Sequence, residues 1–123
     1  ATDILICLLP HTPDTEGIIN SRTLSILPDG ACVINAARGG LVVEADLIVA
    51  LESGRLAHAV LDVTREEPLA SDDPLWRAPN ITITPHVASI TDAKSGARLV
   101  ADNIRRVRAG EAPHHVVDPK AGY

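Results

Sequence analysis

Phenylalanine and methionine are both missing from the 123 residues, and the aromatic side chains are limited to Trp76 and Tyr123. A core must therefore be assembled from Ile, Leu, Val and Ala, the mixture favoured where strands are covered on both faces. At 46% hydrophobic, the chain is long enough for one compact domain but not for a second of independent size. Positive charge is scarce as well. Eleven Lys and Arg against sixteen Asp and Glu give a formal net charge of -5, the wrong sign for a protein whose main partner is a phosphate backbone, so nucleic acid is not expected as a partner. The longest apolar runs, such as residues 4–10, are far too short to span a bilayer, and the first residues lack the basic-then-apolar order of a signal peptide. No membrane partner is expected, and the expected location is the cytoplasm. Cys7 and Cys32 both lie inside apolar runs and read as two reduced, buried thiols without chemistry. His114 and His115 have no further ligands at metal-binding spacing, so no metal site is expected.

Short runs rich in Ile, Val and Leu occupy residues 3–9, 31–36, 56–63 and 80–84, each bounded by turn residues, and predict four strands. Between the first two, Asn20 can cap a short helix that Pro28 and Gly30 stop. Between the next two, Val43, Leu47 and Leu51 recur at four-residue spacing. Glu44 and Asp46 suit the positive end of that helix, and Gly54 suits its stop. Strands alternating with helices imply right-handed crossovers and a parallel sheet. The expected fold is α/β, the C-terminal half of a Rossmann-like doubly wound sheet, in the order βαβαβ, loop, βα. Residues 64–79 hold three prolines, four acidic residues and Trp76, and are expected to be a long irregular loop. A last helix presents Ala97, Val100, Ile104 and Val107 on one face and Arg98, Asp102, Arg105 and Arg106 on the other, and ends at Gly110. The tail over residues 111–123 reads as polar and extended.

Ligands of open parallel sheets bind beyond the carboxyl ends of the strands. The residues following the four runs are Leu9-Pro10-His11-Thr12-Pro13, Asn35-Ala36-Ala37-Arg38-Gly39-Gly40, Asp62 with Glu67, and Thr84-Pro85-His86. An arginine, two carboxylates and a histidine thus converge on one edge. This set suits reduction of a 2-oxoacid carbonyl. Arg38 can hold the carboxylate at two points and polarise the adjacent carbonyl. His86 can supply the proton that the carbonyl oxygen needs. Glu67, on the other ring nitrogen, would orient the imidazole and favour its charged form, so that an acid remains available near neutrality. Asp62 is suited to accept a hydrogen bond from an amide such as that of nicotinamide. Each residue alone has a structural explanation, from turn arginine to helix cap; their joint placement favours chemistry. His11 and His58 are read as packing or surface residues.

The blocks Asn35-Ala36-Ala37-Arg38-Gly39, Leu61-Asp62-Val63 with Glu67-Pro68, and Thr84-Pro85-His86-Val87-Ala88 resemble, in order and spacing, those of D-2-hydroxyacid dehydrogenases. Leu9-Pro10, Thr12, Thr15 and Ile18-Ile19-Asn20 resemble the block preceding them. Pro74-Leu75-Trp76 is similar to the glyoxylate and hydroxypyruvate reductases of that family. The resemblance implies catalytic roles for Arg38, Glu67 and His86. It implies cofactor contacts at Leu9, Pro10, Ala36, Arg38, Asp62, His86 and Ala88, NAD or NADP as cofactor, a small 2-oxoacid as substrate, and a homodimer for the full-length protein. It divides the chain into residues 1–90, half of the nucleotide-binding domain, and residues 91–123, a helix and tail returning toward a substrate domain. No Gly-x-Gly-x-x-Gly occurs, nor the strand-end residue that would select NAD over NADP. A missing N-terminal part of the protein is therefore expected. Because the same family includes dinucleotide-sensing corepressors, a scaffold role and an inactive truncated domain stand as rival readings.

Overall fold

A computed structural model describes residues 2–121. The chain divides into two compact units, one ending at Ala88 and one beginning at Ser89.

The first unit is built on four parallel strands, β1 (Ile4–Cys7), β2 (Ala31–Asn35), β3 (Leu56–Leu61) and β4 (Ile81–Ile83), side by side in chain order. Cys7 lies opposite Asn35, Asn35 opposite Leu61, and Leu61 opposite Ile83. All four strands therefore end on one line, which brings the residues after each strand to a single edge. The strands are shorter than the apolar runs predict because the ladder stops where the chain turns into that edge. Only hydrogen bonds such as Asp62 N–H to the Asn35 carbonyl, 2.9 Å, continue past it.

Helix α1 (Ser21–Leu24) starts where Asn20 predicts it. The Asn20 side chain accepts from the N–H groups of Arg22 and Thr23, and Thr23 Oγ1 accepts from Asn20 N–H at 2.9 Å, a reciprocal cap. Helix α2 (Glu44–Glu52) buries Leu47, Ala50 and Leu51, and Gly54 follows it at φ +73, where a side chain would be strained. Each crossover steps the same way along the sheet, so right-handedness sends both helices to one face. That face carries the core: Val33, Ala59 and Leu61 from the strands meet Leu24, Leu47 and Leu51. On the other face Ile4 and Ile6 of β1 are 57% and 54% exposed, so within this unit the sheet is covered on one side, not on both as the composition suggests.

Residues 64–79 are not wholly irregular. Asp73 accepts from Leu75 N–H at 2.8 Å and caps a 3-10 helix, Pro74–Arg77, whose Leu75 is fully buried, while Trp76 Nε1 donates to the Ala70 carbonyl at 2.8 Å. The prolines and acids that read as a loop serve as the cap and first position of this turn.

The second unit holds helix α3 (Ala93–Arg108), capped by Asp92 on Ser95 N–H at 2.8 Å and closed by Gly110 at φ +77. None of its side chains is buried, Val100, Ile104 and Val107 included. The tail is not simply extended: His114 N–H donates to Asn103 Oδ1 at 2.7 Å and Arg106 pairs with Glu111 at 3.2 Å, folding it back on the helix. Its last two residues lie outside the described ones. No helix among the described residues is long and apolar enough to cross a membrane.

Candidate active site

Beyond the strand ends, four loops are shaped by short side chains bonding to backbone. After β1, Thr15 Oγ1 donates to the Pro10 carbonyl at 2.7 Å and accepts from Thr12 N–H at 2.8 Å, curling residues 10–15 back on themselves. After β2, the fully buried Asn35 donates to the Arg38 carbonyl at 3.0 Å and accepts from Ala37 N–H at 3.2 Å. That grip sets Arg38 in extended backbone, φ -143 and ψ 143, with its guanidinium exposed and Nη1 on the Ala37 carbonyl at 2.7 Å. Gly39 follows because nothing larger fits: a Cβ there would stand 2.0 Å from the carbonyl carbon and oxygen of Thr64 and 2.4 Å from Arg65 N. The loop after β3 thus lies directly on the turn after β2.

Asp62, only 6% exposed, organises the turn after β4. Its Oδ1 accepts from the Thr84 hydroxyl and from Val87 N–H at 2.9 Å, and its Oδ2 from Ala88 N–H at 2.8 Å. The Thr84 hydroxyl first, then the two N–H groups, hold its carboxyl below the usual range. Between these anchors His86 adopts φ +52, a left-handed conformation costly for a residue with a Cβ, and its N–H is shared between the Asp62 and Thr84 carbonyls at 2.9 and 3.0 Å. The strain is met by the Asp62 staple, and its result is an imidazole presented at the sheet edge.

There His86 Nδ1 meets Glu67 Oε2 at 2.8 Å, and Glu67 Oε1 accepts from Thr64 N–H at 3.1 Å. The hydrogen bond with His86 is the largest cause holding the Glu67 carboxyl below its ordinary range, followed by Thr64 N–H, with the charges of His86 and Arg38 adding to it. Glu67 is thereby kept ionised. With Nδ1 on Glu67, Nε2 is the ring atom free to exchange a proton.

Two clefts flank this pair. One of about 390 Å³ is lined by Arg38, Glu67 and His86 together with His11, Glu16 and Arg65. The other, about 550 Å³, lies against Asp62, Glu67, His86, Leu69 and Trp76. The structure therefore gathers Arg38, Glu67 and His86 around one space. Leu9, Pro10, Ala36 and Ala88 stand at the same edge but line neither cleft. Three of the roughly four acceptor positions of the Asp62 carboxylate are taken, which leaves one on Oδ2 for an amide.

Sequence reasoning passed over Asn35 and Thr15 as builders of the site, although both belong to blocks it singled out. It also missed the network in which Glu16 bridges His11 Nε2 and Arg65 Nη2. Partners 49 positions apart leave no local signal.

A family model for the D-isomer specific 2-hydroxyacid dehydrogenase NAD binding domain matches residues 1–88. Among solved structures, a D-isomer specific 2-hydroxyacid dehydrogenase from Xanthobacter autotrophicus, in complex with NADPH and MES, is 48% identical with a TM-score of 0.93, over 98% of this chain and 50% of that one. The NADPH-dependent glyoxylate/hydroxypyruvate reductase of Sinorhizobium meliloti, in complex with NADP and sulfate, is 43% identical with a TM-score of 0.93, over 99% of this chain and 40% of that one. A probable 2-hydroxyacid dehydrogenase from Rhizobium etli, in complex with NADP, is 41% identical with a TM-score of 0.88, again over 99% and 40%. The chain spans half or less of the length of these relatives. With these likenesses and the parallel-sheet architecture, the chain belongs to the NAD-binding domain family of the D-isomer specific 2-hydroxyacid dehydrogenases.

Proposed function

We propose that this chain supplies the acid–base and carboxylate-binding groups of an NAD(P)-dependent reductase of small 2-oxoacids, with glyoxylate and hydroxypyruvate as preferred substrates and NADPH as preferred donor. The observation that carries the reading is the His86–Glu67 pair at 2.8 Å in one cleft with Arg38. Arg38 grips the substrate carboxylate through its planar fork and stabilises the negative charge that grows on the carbonyl oxygen. A bound nicotinamide supplies the hydride. His86 gives that oxygen a proton from Nε2, and Glu67 holds the ring by Nδ1 and balances the imidazolium charge. Asp62 fixes the turn that aims His86 and offers its remaining Oδ2 acceptor to the carboxamide. The substrate and cofactor preferences rest on likeness to the Sinorhizobium reductase. The scaffold reading draws no support from relatives described as dehydrogenases and a reductase.

Initial rates of NADPH and NADH oxidation by the full-length protein with glyoxylate, hydroxypyruvate and pyruvate test the proposal. Glyoxylate is expected to exceed pyruvate by about ten-fold or more in kcat/KM, the discrimination a small pocket achieves over an added methyl group, and hydroxypyruvate to exceed it through a hydrogen bond to its hydroxyl that pyruvate cannot make. No oxidation of either cofactor by any of the three would reject it.

A further inference from the structure

We infer that Glu16 makes the Arg38 cleft selective for 2-oxoacids bearing a single negative charge, by holding Arg65 in a neutralised pair. The inference rests on the 2-oxoacid reading above and extends it to a specificity-determining residue.

The cleft has two guanidinium groups in its lining, Arg38 and Arg65, and they are not equivalent. Arg65 Nη2 pairs with Glu16 Oε1, whereas among the described residues Arg38 has no carboxylate in ion-pair contact. Glu16 spends its second oxygen on His11 Nε2, so one carboxylate links the loop after β1 to the loop after β3 in the lining of the cleft. The Glu16 and Arg65 side chains are 40% and 57% exposed. An ion pair so open to water adds little to stability, so neutralising Glu16 is not expected to unfold the loops.

That field accepts one anionic group and resists a second. A monocarboxylate docks on Arg38, and its small remainder meets a wall whose charges cancel. A 2-oxoacid with a second carboxylate brings another negative group into the cleft that Glu16 also lines, where Glu16 both occupies Arg65 and repels the newcomer. Discrimination of this kind comes from a repulsive element and not only from a better fit. The Arg65 backbone does not depend on Glu16. Its N–H donates to Glu44 Oε1 at 2.7 Å, and the same stretch of chain lies on Gly39. Neutralising Glu16 therefore frees the Arg65 guanidinium without removing what positions its loop.

The test compares full-length wild type, Glu16→Gln and Glu16→Gln/Arg65→Gln. Titration calorimetry with oxamate, which carries one negative charge, and malonate, which carries two, reads selectivity without turnover. The kcat/KM ratio of oxaloacetate to glyoxylate reads it in the reaction. Glu16→Gln is expected to raise the affinity for malonate relative to oxamate by about ten-fold, the scale of one partly screened charge contact, and the double variant to return the ratio toward wild type. Equal changes for both ligands would make Glu16 a structural residue only and overturn the inference. So would a gain that survives loss of Arg65. A selectivity shift in a protein that turns over no 2-oxoacid would reject the proposed reaction while leaving the charge selection standing. An active enzyme without the shift would do the reverse.

Discussion

Glu67 illustrates how neighbours set what a side chain can do, and Arg38 how much still rests on residue type. Glu67 is held below its ordinary range chiefly by the His86 hydrogen bond and then by Thr64 N–H. A carboxyl whose value is lowered in the folded protein stays ionised above that lowered value and loses its pairing as pH falls through it. Reduction should therefore persist below the usual glutamate range and then decline on an acid limb set by Glu67. In Glu67→Gln no carboxyl remains to titrate at this position, so that limb should disappear and the plateau rate should fall. A pH–rate profile of both proteins checks this, and an unchanged acid limb in the variant would detach Glu67 from His86. Arg38→Lys tests the two-point grip. An ammonium cannot reproduce the planar fork, so kcat/KM for glyoxylate should drop by about ten- to hundred-fold. Steady-state kinetics at saturating NADPH measure it, and unchanged values would remove Arg38 from carboxylate binding.

At the scale of elements, the site is a product of strand ends and the loops stacked on them. Gly39 is where two of these loops touch, and the backbone of Thr64 and Arg65 occupies the place of its missing side chain. Gly39→Ala should force that backbone to move, with a loss of about 1–3 kcal/mol typical of overpacking. Urea unfolding of the full-length protein should show a lower midpoint, and the displaced loop should carry Glu67 away from His86 and lower turnover as well. A variant with native midpoint and rate would mean that the loops separate freely. The four strands and both helices between them were legible in the sequence because apolar period, caps and turn residues are local signals, and the meeting of Arg38, Glu67 and His86 was legible because each follows a strand end. The capped turn at Pro74–Arg77 was not, since prolines and acids read equally as loop and as cap. The left-handed His86 was hidden too, because its conformation is imposed from Asp62, 24 positions earlier.

Across the first unit as a whole, the one packed face of the sheet and the edge that gathers Arg38, Glu67 and His86 have one origin. Crossovers that all step the same way place α1 and α2 on one face, and the shared register ends all four strands on one line. Composition alone suggested cover on both faces, because an aliphatic core looks the same whichever side its partners lie on; the exposed Ile4 and Ile6 mark the difference. The cleft between Arg38 and His86 is the point on which the functional account turns, and replacing the proton donor probes it most directly. In the full-length protein, glyoxylate-dependent NADPH oxidation by His86→Asn should be about a hundred-fold or more slower than by wild type, with NADPH affinity nearly unchanged, since a positioned acid contributes that much and asparagine cannot donate a proton from Nε2. Near-native turnover by His86→Asn would contradict the account.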